Sequence, residues 1–91
     1  MRVKLFATLR QLVGAKEIEV GLEVGDTVGS VLARLAVDYP ALGERIFNDD
    51  GDLEGYINIF VNGRSIRFLE GVNTSLNEGD VLAIFPPVAG G

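Results

Sequence analysis

One stretch of this sequence has the period of a helix, and strand-like alternation lies on both sides of it. Val28, Val31, Leu32, Leu35 and Ala36 recur at the spacing of one helical face. Thr27, preceded by Asp26, is the expected N-cap, because a side-chain oxygen there accepts from an otherwise unpaired amide of the first turn. Pro40 disfavours helical geometry at Tyr39, so the helix should stop near Asp38. One amphipathic helix needs another layer for its apolar stripe, and the flanking sequence offers a sheet. Residues 41–47 are read as a short second helix, with Leu42 and Ile46 facing the core.

The strands follow from period-two alternation. Residues 2–10 place Val3, Leu5 and Ala7 on one side and Lys4, Phe6 and Thr8 on the other. Val13-Gly14-Ala15-Lys16 supplies a turn, and Glu17-Ile18-Glu19-Val20 alternates again with Ile18 and Val20 inward, which reads as an antiparallel hairpin. Residues 56–61 are the most strand-like segment, with Ile57, Ile59 and Val61 in one phase. Asn62-Gly63 is a strong hairpin signal because both residues tolerate positive φ, and residues 65–68 are expected to return as a short strand. Asn77-Glu78-Gly79-Asp80 turns the chain into a last strand over residues 81–85, with Leu82 and Ile84 inward. The order is strand, strand, helix, short helix, strand, short strand, strand. It predicts an α+β domain, and pairing of the last strand with the first would put both in the middle of a mixed sheet.

Composition removes most chemistry from the chain itself. Its 91 residues suffice for one domain, and 47% of them are apolar. There is no cysteine, which excludes disulfides, thiolate catalysis and iron–sulfur ligation, and no histidine, the usual general base. Thr8, Ser30, Ser65 and Thr74 therefore have no histidine to activate them. The glycines around Gly25 and Gly29 lack the lysine of a phosphate-binding loop. Asn48-Asp49-Asp50-Gly51-Asp52 lacks the spaced ligands and distant glutamate of a calcium loop and is read as a solvated turn, so no metal site is expected. The net charge of −5 opposes nonspecific nucleic-acid binding and would suit a basic partner surface. With no apolar run long enough to span a bilayer and no signal-peptide pattern, no membrane association is expected, and the expected location is cytoplasmic.

The end of the sequence is Phe85-Pro86-Pro87-Val88-Ala89-Gly90-Gly91. Neither proline donates a backbone hydrogen bond, so sheet pairing should fail there, and paired prolines favour a stiff extended chain. Residues 1–87 are thus expected to form the domain and residues 88–91 a flexible tail, reaching about 13 Å when extended. Gly90 and Gly91 have no Cβ to obstruct a narrow channel, and little surrounds the Gly91 carboxylate. Phe6, Phe60 and Phe85 fall in the phase opposite to the core residues, on a sheet face that no second layer obviously covers. Grouped exposed aromatics of this kind mark an interface.

The whole chain resembles the small, sulfur-carrying subunit of molybdopterin synthase, in the MoaD/ThiS group of ubiquitin-like proteins. The resemblance is strongest at Lys4-Leu5-Phe6-Ala7 with Leu9-Arg10, at Phe60-Val61-Asn62-Gly63 and at the tail. It implies the β-grasp fold of ubiquitin, with a mixed sheet of about five strands, one main helix and a short second helix. It further implies a carrier rather than a self-contained enzyme. An adenylating activating enzyme, using ATP and magnesium, would convert the Gly91 carboxylate to an acyl-adenylate, and a sulfur donor would leave a thiocarboxylate. The tail would then enter the large subunit of molybdopterin synthase, which supplies the catalytic side chains, and deliver sulfur to a pyranopterin. Phe6, Phe60, Phe85, Pro86, Pro87, Val88, Ala89 and Gly90 would contact both partners, and the chain itself would bind no cofactor. The same tail would serve a covalent protein modifier, or a sulfur carrier for thiazole or tRNA thiolation. An inert end on a β-grasp binding module is the remaining alternative.

Overall fold

In a computed structural model, residues 1–87 are described, and Val88, Ala89, Gly90 and Gly91 lie outside the described residues. Strand β1 (Arg2–Leu5) leads into a short helix α1 (Thr8–Val13), strand β2 (Glu17–Glu19), the main helix α2 (Val28–Asp38) and helix α3 (Pro40–Ile46). Strands β3 (Asn58–Val61), β4 (Arg64–Ser65) and β5 (Val81–Phe85) complete a five-stranded sheet in the order β2-β1-β5-β3-β4. β1 and β5 run parallel at its centre, with Val3 opposite Leu82 and Leu5 opposite Ile84. The other pairs are antiparallel, so the sheet is mixed and the fold is the expected ubiquitin-like β-grasp.

The cap at Thr27 is a reciprocal pair. Thr27 Oγ1 accepts from the Ser30 amide at 3.2 Å, and Ser30 Oγ accepts from the Thr27 amide at 2.9 Å. Ser30 Oγ also donates to Asp26 Oδ1 at 2.8 Å, which ties the cap to a nearly buried carboxylate. That carboxylate accepts from the Glu23 amide and from both terminal nitrogens of Arg34, the shortest of these at 2.7 Å. Chiefly through the Arg34 hydrogen bonds, then those of Glu23 and Ser30, Asp26 is drawn down from 3.8 to about 2, although its burial opposes this. The loop ahead of α2 and the second turn of α2 are therefore clamped together.

From this anchored start, α2 lays Val28, Val31, Leu32 and Leu35 on the inner sheet face, where they meet Val3, Leu5, Ile57, Ile59, Val61, Leu82 and Ile84. Full burial of one such side chain contributes about 1.5–3 kcal/mol. Pro40 ends α2 and opens α3, whose Leu42 and Ile46 complete the core as expected. Asn62 and Gly63 both have positive φ, at 50° and 84°, as the tight turn between β3 and β4 requires.

Three expectations need correction. Alternation does not run through Thr8. The strand ends at Leu5, and Ala7 turns the chain with φ 51° and ψ −129°, outward rather than into the core. Helix α1 follows and buries Leu9, so β1 and β2 are antiparallel neighbours joined through a helix rather than a short turn. Residues 65–68 do not form a strand. β4 stops at Ser65, whose hydroxyl accepts from the Arg67 amide and starts a 3-10 turn, Ile66–Phe68. This buries Ile66 and leaves Phe68 89% exposed. The third strand begins at Asn58, two residues later than the sequence suggested.

Candidate functional site

The open face of the sheet is built by the outward phase of its three central strands. Phe60 lies directly across from Ala83, and Phe85 lies across from Asn58. The small side chain at position 83 leaves room for the diagonal neighbours Phe60 and Phe85 to meet edge to face, with centroids 5.4 Å apart and planes at 83°. Phe6 stacks on the other side of Phe85, with centroids 4.1 Å apart and planes at 11°. Such pairs contribute roughly 0.5–1.5 kcal/mol beyond the area they bury. The three rings form one contiguous cluster, and each is partly buried rather than fully exposed.

The corner at Ala7 places Phe6 for this stack. Positive φ is uncommon for a residue with a Cβ, and here it swings the chain from β1 into α1 at the edge of the patch. Arg10, the third residue of α1, reaches back so that its Nε donates to the Leu5 carbonyl at 2.7 Å, and its guanidinium lies 5.2 Å from the Phe6 ring centroid. Alternation alone assigns Arg10 no place on this face, because its position depends on the helix at 8–13.

Two shallow concavities flank the rings. One, of about 550 Å³, is lined by Phe6, Ala7, Thr8, Asn58, Phe60, Phe85, Pro86 and Pro87. The other, of about 430 Å³, is lined by Lys4, Phe6, Phe60, Asn62, Gly63, Val81, Ala83 and Phe85. Pro86 and Pro87 leave β5 directly from this patch, so five of the expected contact residues, Phe6, Phe60, Phe85, Pro86 and Pro87, are brought together. The other four expected site residues, Val88, Ala89, Gly90 and Gly91, lie outside the described residues. A larger concavity of about 840 Å³ lies between α2, α3 and the 47–53 loop. It is lined by neither the aromatic patch nor the tail root, and we place the site on the sheet face for that reason.

Among the described residues, no group of three or more Asp, Glu, His or Cys side chains is placed to hold a metal ion. The Asn48–Asp52 region is organised by the Asn48 side chain, whose Oδ1 accepts from the amides of Asp50 and Asp52 at 3.0 Å. No helix among the described residues is long and apolar enough to cross a membrane. What the geometry offers is a cluster of aromatic rings at the base of a proline-led segment.

The family model described as the ThiS family matches residues 3–91. The chain belongs to the ThiS family. It is 40% identical over 91 residues to small archaeal modifier protein 3 of Haloferax volcanii, covering 100% of this chain and 98% of that one. It is also 39% identical over 69 residues to the sulfur carrier protein CysO of Mycobacterium tuberculosis, 74% of each chain. The crystal structure of SAMP1 from Haloferax volcanii superposes with a TM-score of 0.89 at 39% identity, covering 99% of this chain and 97% of the other. The β-grasp core and aromatic face thus sit in a family of ubiquitin-like sulfur carriers and modifiers, and both of those activities have similar relatives.

Proposed function

We propose that this protein carries sulfur on its C-terminal glycine. The carboxylate of Gly91 is activated by an adenylating enzyme with ATP and magnesium, releasing pyrophosphate, and a sulfur nucleophile then displaces AMP to leave a thiocarboxylate. A free carboxylate resists nucleophiles, and the mixed anhydride overcomes that with a good leaving group. The observation that carries the reading is the junction at Phe85–Pro87, where a stacked aromatic face passes directly into paired prolines ahead of Val88-Ala89-Gly90-Gly91. The face supplies binding area to the partner, and paired prolines favour a stiff, extended exit from it.

The destination that the Phe-Pro-Pro-Val-Ala-Gly-Gly ending supports is molybdopterin synthesis, with this chain as the small subunit of the synthase and a pyranopterin as sulfur acceptor. Catalytic side chains, ATP and magnesium then all belong to partner proteins. A second reading, conjugation of Gly91 to lysines of target proteins, is favoured by the similarity to small archaeal modifier protein 3. Both begin with the same adenylate. Deleting Gly90 and Gly91 should abolish ATP–pyrophosphate exchange with the activating enzyme while leaving thermal stability unchanged, and undiminished exchange would defeat the reading. Thiocarboxylated protein given to the large subunit and a pyranopterin then separates the destinations: sulfur transfer supports the synthase, and higher-mass lysine conjugates in its absence support the modifier.

A further inference from the structure

We infer that Arg10 is a docking residue for a carboxylate: an Asp or Glu side chain of the activating enzyme pairs with its guanidinium when that enzyme seats on the aromatic face. The inference rests on the proposed function, because it names the chemistry by which the same face recognises its partner.

The guanidinium is already held in place. Its Nε–H is spent on the Leu5 carbonyl and its plane lies near the Phe6 ring, so the side chain is half-buried and oriented before any partner arrives. Among the described residues, its two terminal nitrogens make no hydrogen bond, and no carboxylate comes within ion-pair distance. A guanidinium has five N–H donors in a fixed fork that matches a carboxylate, and prior orientation lowers the entropy lost on pairing. A guanidinium with only its Nε–H bonded among the described residues, beside partly buried aromatics, has the composition of an interface anchor.

The local charge agrees. Lys4 lines the neighbouring concavity, also without an ion pair among the described residues, and neither concavity is lined by an Asp or Glu. The acids that share the outward phase, Glu17 and Glu19, are on β2 at the sheet edge. Glu17 lies 3.7 Å from Arg2, and Glu19 lies 3.5 Å from the Met1 amino group. On a chain with a net charge of −5, the aromatic face therefore has Arg10 beside Phe6 and Lys4 in one concavity, with no acid lining either concavity. The net charge suggested a basic partner, whereas this face calls for an acidic one.

The test is equilibrium binding of the full chain to the purified activating enzyme at several salt concentrations. Arg10→Gln should weaken binding about tenfold at low salt and flatten the dependence of affinity on salt, with the melting temperature near wild type. Arg10→Lys should keep the salt dependence but lose affinity, because the ammonium cannot reproduce the fork. Arg10→Gln binding like wild type, or binding more weakly with an unchanged salt dependence, overturns the inference. If Arg10→Gln does not fold, Arg10→Lys decides, and wild-type affinity in that variant overturns it. A wild-type chain that does not bind the activating enzyme removes both the inference and the function it rests on; a wild-type chain that binds alongside an indifferent Arg10→Gln removes only the inference.

Discussion

Replacing Gly43 with alanine should destabilise this domain, although alanine is the better helix former. Gly43 lies within α3, where it crosses α2 at Ala36. A Cβ added there would stand 2.7 Å from the Ala36 Cβ and 3.1 Å from its Cα. Comfortable carbon–carbon separation is about 3.5–4.0 Å, so the two helices would have to part by close to an ångström. That disturbs Leu42 and Ile46, which are buried on the same helix. Alanine recovers roughly 1 kcal/mol of helix propensity, against about 1–3 kcal/mol for overpacking a filled contact. The expected balance is a net loss of about 1 kcal/mol, or a fall of roughly 4–8 °C in melting temperature for a domain of this size. The double variant Ala36→Gly/Gly43→Ala moves the methyl across the crossing and should return to within about 0.5 kcal/mol of wild type, although Ala36→Gly alone costs about 1 kcal/mol. Thermal and urea unfolding of the three variants by circular dichroism measure this directly. A Gly43→Ala variant as stable as wild type, or effects that simply add, would refute the tight crossing.

The aromatic face and the cap make separate predictions. Phe60→Ala should weaken binding to the activating enzyme more than tenfold, the scale of an interface hot spot, while the domain stays folded. Unfolding of the domain with the complex retained would show that Phe60 serves the core instead. Asp26 has a lowered folded pKa, so its stabilising contribution is complete above its unfolded value of 3.8 and disappears as the pH falls through about 2. The stability difference between wild type and Asp26→Asn, from urea titrations, should therefore be constant near neutrality and shrink from pH 4 to pH 2; a constant gap would contradict the Arg34 clamp. At the Ala7 corner, Ala7→Gly should leave stability within about 1 kcal/mol of wild type, whereas the β-branched side chain of Ala7→Val should lower it by more than that. Equal melting temperatures for these two would argue against positive φ at the corner.

The parts of the fold that could be read in advance are those set by local chemistry. Thr27 and Pro40 bound α2 because a cap and a proline act within a turn of themselves, and Asn62-Gly63 fixes its hairpin for the same reason. The outward phase of Phe60 and Phe85 follows from alternation alone, whereas Phe6, just past the end of β1, also depends on the Ala7 corner. Their stacking depends on Ala83 leaving space across the strand pair, which is a matter of register. Helix α1 is hidden in the sequence because its break is at Ala7, a residue type with no preference for positive φ, and because Val3, Leu5 and Ala7 continue one alternation through it. Leu9, Leu12 and Val13 do have helical spacing, but in a helix of six residues that signal is short. The turn after Ser65 was misread because Ile66 and Phe68 fit a strand phase equally well. Arg10 could be assigned a place only once α1 and the Leu5 carbonyl were seen together.

The proposed acceptance of sulfur at Gly91 has a direct readout in intact-mass spectrometry of the full chain after incubation with ATP, magnesium, a sulfur donor and its activating enzyme. The expected result is a mass gain equal to the exchange of one oxygen for one sulfur, located at Gly91 by fragmentation and absent without ATP. An unmodified mass, with an enzyme that is active on another carrier, would contradict it and leave a β-grasp domain that binds partners without carrying sulfur.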